Sequence, residues 1–132
     1  MALLSNFHTR DFANKGVRVA IPNPADGTDT GFFITVLGKD SDAYRKAEAA
    51  QRDRAVRAAN TTGSFKVTPE MIEQNSLELI LCCMVSWEGL ESEPGVPLPF
   101  SKEAAQDILK TCPFVREVVE KSIGDRTLFT GR

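Results

Sequence analysis

The chain has one histidine, one tryptophan, three cysteines and no catalytic signature in 132 residues. Each scarcity excludes something. His8 lies in a polar N-terminal segment beside Thr9, Arg10 and Asp11, where side chains are ordinarily solvated. A catalytic histidine needs a positioned partner and a dry pocket. One histidine with scattered carboxylates supplies no convergent metal-ligand set. Cys82, Cys83 and Cys112 build neither a disulfide framework nor a CxxC knuckle. The adjacent pair sits in an apolar stretch, where thiols are usually inert packing groups. No GxxxxGK[ST] loop and no GxSxG elbow occurs. Residues 23–31 are rich in oxygen ligands but lack the order and closing Glu of a calcium loop, so they read as a turn. No enzymatic activity, cofactor or metal is expected.

Charge of one sign is also lacking. Sixteen Lys+Arg stand against eighteen Asp+Glu, a net charge of −2. Without a basic excess to neutralise phosphates, nucleic acid is not an expected partner. No apolar run approaches the roughly 18 residues that cross a bilayer, so no membrane is expected either. The start, Met1 to His8, has no charged n-region and no long apolar h-region. A signal peptide is therefore not expected, and an intracellular protein is. The 42% hydrophobic and 26% charged content is ordinary for a globular chain, and 132 residues suit one core.

What is present is periodicity. Residues 1–15 read as a flexible arm with apolar points at Leu3, Leu4, Phe7 and Phe12, and residues 16–132 as one domain. Val17, Val19 and Ile21 alternate with Arg18 and Ala20, and Phe32 to Leu37 is strand-favouring throughout. Pro22, Pro24 and Asp26-Gly27 break the two runs, which predicts a β-hairpin over 16–38. A lone hairpin is marginal in water, so it must lie on helices or pair with another chain.

Helices follow. Asp40 or Ser41 caps a helix over 40–60 that is rich in alanine, with Tyr44 as its one large apolar member. It reads either as a solvated cover or as a helix exposed for a partner. Its basic residues are interleaved with Asp42, Glu48 and Asp53, which points to pairing within the helix. Thr68 and Pro69 open a helix over 68–87. Its run Leu79 to Val85 is apolar all round, which calls for burial in the core or at a subunit interface. Residues 88–100, with three prolines and two glycines, read as an acidic loop. Ser101 caps a helix that Pro113 ends, and Phe114 to Ile123 form a last amphipathic helix closed by Gly124. The expected fold is α+β and predominantly α-helical, about four helices with an N-terminal β-hairpin.

Three segments carry a resemblance. The acidic proline-rich stretch after Trp87-Glu88-Gly89, the Val96-Pro97-Leu98-Pro99-Phe100-Ser101 entry into a helix, and Asp125-Arg126 before Phe129 resemble tail assembly chaperones of long-tailed bacteriophages or prophages. The hairpin followed by Gly38 to Arg45 is similar to members of the same group, so the likeness runs over about residues 17–129. The resemblance implies a protein of the host cell cytoplasm that binds the tape measure protein, keeps it soluble and helps tail tube protein polymerise around it. It implies absence from the mature virion, and often a longer frameshifted form beside a short one such as this chain. It carries no catalytic residues.

A holder of a long amphipathic client needs apolar surface and many copies, so self-association into a homo-oligomer is expected. Candidate partner-binding residues are Tyr44, Arg45, Trp87, Leu90, Phe100 and Phe129, since large aromatics supply much of the energy at interfaces. Each of them is equally explained as ordinary core, and core is the favoured reading for Trp87 and Phe100. The rival reading is a structural virion protein, a head–tail joining or minor tail subunit.

Overall fold

Strand β1 (Val17–Ile21) runs antiparallel to β2 (Phe32–Val36), with Val17 opposite Val36 and Ile21 opposite Phe32. The alternation turns Val17, Val19 and Ile21 to the core with Phe32, Ile34 and Val36. The intervening turn is held by its own polar groups: Asn23 N–H donates to the Thr28 carbonyl at 2.9 Å, and the Thr28 hydroxyl donates to Asp26 at 2.7 Å. The computed structural model describes residues 1–63 and 66–129. Ser64, Phe65 and residues 130–132 lie outside the described residues.

The hairpin has a third strand. β3 (Met84–Glu88) pairs antiparallel with β2, with Ile34 opposite Trp87 and a bulge at Thr35/Val36, giving the order β1-β2-β3. The helix expected over 68–87 therefore ends early, as α3 (Pro69–Cys83). An apolar run satisfies either periodicity, and partners distant in sequence decide the switch. Leu37 N–H donates to the Cys83 carbonyl at 2.8 Å. The Lys102 ammonium donates to the carbonyls of Leu81 at 2.6 Å and Met84 at 2.7 Å. These donors satisfy carbonyls that a helix end leaves open.

The stretch expected to be an irregular loop holds a small ribbon, β4 (Glu91–Glu93) with β5 (Val96–Pro97). The Glu91 carboxylate accepts the Gly95 N–H across its turn. Gly89 starts the ribbon at φ +78°, and a Cβ there would lie 1.8 Å from the Gly31 carbonyl oxygen, so only glycine fits.

Helix α1 (Thr9–Lys15) lies within the segment expected to be an arm, after a 3-10 turn at Leu4–Phe7. Ala13 is buried and its carbonyl accepts the Gly38 N–H at 3.2 Å. Helix α2 (Asp42–Thr62) starts at Ser41, whose hydroxyl accepts the Tyr44 N–H, and stops at Gly63 in the left-handed region. Helices α4 (Lys102–Thr111) and α5 (Pro113–Gly124) follow, with Ser101 capping α4, and a 3-10 turn at Arg126–Leu128 comes after α5. The described residues thus hold five α-helices, one more than the sequence suggested, the extra one being α1. The fold is α+β and helical over more than half its length.

The core lies between the sheet and α3, α4 and α5. Ile34, Val36, Met84, Leu109 and Val119 are its most deeply buried large members. α5 packs on β1 and β2, while α2 packs on α3 and α1.

Candidate partner-binding surface

Helix α2 spans 21 residues and buries none of them. Its alanines favour the helix but offer little area to bury. Its near end is fastened by polar contacts. Asp40, 9% exposed, accepts from Arg126 at 2.5 and 2.8 Å and from Arg45 at 3.1 Å. Hydrogen bonds from Arg126, and then from Thr9 and Arg45, hold the Asp40 carboxyl far below the usual carboxylate range against the opposing effect of burial. Asp42 accepts from Arg10 and Asn14 of α1.

Farther along, Gln51 donates to the Asn75 carbonyl at 2.9 Å and Arg54 to Glu78 at 3.1 Å, tying α2 to α3. Beyond those ties the two helices form an arm with an open surface. Ala55, Ala58, Val67 and Met71 line a groove of about 310 Å³ that also includes the tying residues Gln51, Arg54 and Asn75. On the same outer half Val56 is 57% exposed, and Val67 and Ile72 are each 61% exposed. A groove of mixed lining, apolar on one side and polar on the other, suits an amphipathic segment of another chain.

The residues singled out from sequence are dispersed over the molecule. Tyr44 is half-buried in a second groove of about 240 Å³ with Leu79, Ile80 and Ile123 as its floor and Lys39 and Glu120 at its rim. Burial, and then the charge of Glu48, raise its phenol above the usual range. Arg45 is part of the Asp40 clamp and also reaches Glu48 at 3.3 Å. Trp87, Leu90 and Phe100 come together, but as a staple. The Trp87 ring meets Phe100 edge-on at 4.9 Å and Phe32 at 6.3 Å, and its N–H donates to the Leu98 carbonyl at 2.8 Å. All three are partly buried against the core and bind the ribbon to the sheet. Phe129 is 6% exposed and packs over Gly38, so its ring is no part of the chain's outer surface. The neighbouring Asp40–Arg126 pair fastens this segment to the start of α2.

Val56, Val67 and Ile72 were not singled out. The signal for Ile72 was available: it precedes the buried Leu77 by five positions, about 140° around a helix turning 100° per residue. At the N-terminus Leu3, Leu4 and Phe7 are also exposed.

A family model matches residues 39–124. The chain belongs to the YdaY prophage protein family. The matched span takes in α2, α3, the third strand, the ribbon, α4 and α5, and leaves out α1 and the first two strands. The arm, its groove and the ribbon thus lie wholly inside the region that matches this prophage family. No curated protein and no solved structure matches the chain. Among the described residues no helix is long and apolar enough to cross a membrane, and no three His, Cys, Asp or Glu side chains are grouped to hold a metal ion.

Proposed function

We propose that this prophage protein is a non-catalytic tail assembly chaperone that holds the tape measure protein soluble while tail tube protein polymerises around it. The observation that carries the reading is the outer half of the α2–α3 arm, where a 21-residue helix with no buried residue borders a groove lined by Ala55, Ala58, Val67 and Met71. A long amphipathic client presents apolar side chains at helical spacing, and such a groove accepts them reversibly. Membership of a prophage family and the resemblance of the 88–101 and 125–129 segments to tail chaperones support the same reading. Tube subunits then displace the holder, so the protein acts in the host cytoplasm and leaves before the virion is complete.

The test is co-expression with the cognate tape measure protein, followed by affinity capture and quantitative mass spectrometry of the captured complex and of purified virions. Soluble tape measure protein in the capture and no copies in virions is the expected result. Stoichiometric copies in virions would overturn it and make the chain a structural subunit. A tape measure protein equally insoluble with and without the chain would overturn it as well.

A further inference from the structure

Strand β1 is an open edge of the sheet. It pairs with β2 in unbroken register over its five residues and has no strand on its other side among the described residues. The Thr30 hydroxyl bridges the end of that pair, donating to the Ile21 carbonyl at 2.5 Å and accepting the Phe32 N–H at 3.2 Å. The backbone groups of Ile21 therefore face β2, and by alternation those of Val19 and Val17 do too. The N–H and C=O of Arg18 and Ala20 point away from β2, and among the described residues no hydrogen bond reaches them there. The Ala20 side chain is exposed as well. On the core side Val17 and Val19 are only half-buried, whereas Val36 and Ile34 opposite them are fully buried. The flank of β1 is thus unfinished in its backbone and in its apolar face, and such an edge is a template for another strand.

We infer that β1 pairs antiparallel with β1 of a second copy of this chain about a twofold axis at Val19, joining the two sheets into one. The other strands are poorer occupants. A bulge interrupts the β2–β3 ladder and the Lys102 ammonium takes the Met84 carbonyl, while β4 and β5 have three and two residues. The register follows from the residues of β1 itself. An axis at Val19 sets Arg18 opposite Ala20 of the partner, so the outward backbone groups of these residues satisfy one another. It sets Val17 opposite the partner's Ile21 and Val19 opposite the partner's Val19, which carries the apolar face across the axis. Arg18 retains Glu88 and the face of the Phe33 ring within its own chain. An axis at Arg18 would put like charges face to face, and one at Ala20 would put Arg18 opposite Pro22, beyond the strand. β1 has no part in the α2–α3 groove, so the inference holds whichever client that groove takes.

The experiment is sedimentation of the full chain over a concentration series, with two variants at the exposed Ala20. Wild type is expected to pass from the 14.5 kDa monomer to twice that mass and no further. Ala20→Pro removes an outward N–H and leaves the β2 ladder its own, so it is expected to remain monomeric. Ala20→Thr keeps the N–H and favours the strand, so it is expected to dimerise as wild type does. Circular dichroism melts check that the variants are folded. Cross-linking tests the register independently and decides the matter if Ala20→Pro does not fold. In a Cys112→Ser background, Val19→Cys is expected to form an interchain disulfide under mild oxidation, since facing Cα atoms at such a pair lie about 4.5 Å apart. Ala20→Cys in the same background is expected not to, because Arg18 of the partner faces it. A wild type monomeric at every concentration, a folded Ala20→Pro that dimerises like wild type, or cross-linking through position 20 and not 19 would each overturn the inference.

Discussion

Ile34 and Ile72 are the same side chain in two situations. Ile34, in the middle of β2, is fully buried, whereas Ile72, on the outer half of α3, is 61% exposed. Around Ile34 the apolar residues converge from strands, α4 and α5, and every buried side-chain nitrogen or oxygen among the described residues has a partner. Around Ile72 the helices are tied by ion pairs and by a few alanines. The first region holds the chain folded. The second contributes little to folding and has apolar surface to offer. The contrast predicts that substitutions will separate stability from client binding.

The largest expected effect is in the buried region. Ile34→Ala removes a fully buried side chain and leaves a cavity, and should cost about 3 kcal/mol in the free energy of unfolding by denaturant titration. A loss below about 1 kcal/mol would show that the body is looser than its burial indicates.

Next is the clamp. Asp40→Asn removes a carboxylate that accepts from both Arg126 and Arg45. It should cost about 2 kcal/mol at neutral pH, a figure moderated because both arginines are more than half exposed. The sign of its pH dependence follows from the lowered folded-state pKa. The contribution is complete above the unfolded carboxyl value of about 4 and fades as pH falls from there toward the lower folded value. Wild type and variant should therefore converge in stability in strong acid, measured as thermal midpoints against pH. Equal midpoints at pH 7 would show that the clamp adds nothing to folding.

The staple on the ribbon gives a smaller effect. Trp87→Phe keeps an aromatic ring but leaves the Leu98 carbonyl without its indole donor. About 1 kcal/mol of stability should go, and amide exchange should rise first at the Leu98 N–H, which donates to the Leu90 carbonyl at 2.9 Å. Uniform exchange across the molecule would show that the ribbon does not open separately.

Local signals in the sequence were enough for the hairpin, the helix start at Asp40 or Ser41 and the Ser101 start, because each depends on residues a few positions apart. The third strand was not legible. Whether Met84 to Glu88 continues a helix or pairs with β2 depends on Lys102 and Leu37, distant in sequence, and the apolar pattern allows both. The ribbon was hidden by its prolines and glycines, which mark turns and do not reveal that two short strands meet between them. The partner-binding candidates are scattered by the fold. Aromatic residues drew attention as interface anchors, yet Trp87, Phe100 and Phe129 are used to fasten segments to the core. The open groove is lined by alanine, valine and methionine from two helices, and no single segment announces it.

The smallest expected effect on folding comes with the largest on binding. Ile72→Ser changes a side chain that is already mostly in water, so the unfolding free energy should move by less than about 0.5 kcal/mol. Val56→Ser should behave alike, being 57% exposed, since serine and valine have similar helix propensities. If the arm holds the client through these side chains, the double variant should fold as wild type and yet recover much less soluble tape measure protein on co-expression. Each side chain fully buried at an interface contributes about 1.5–3 kcal/mol relative to exposure, so losing two should weaken capture by tenfold or more. Undiminished recovery by the folded double variant would move the client site off the outer arm, and the exposed Leu3, Leu4 and Phe7 of the N-terminal segment would be the next surface to substitute.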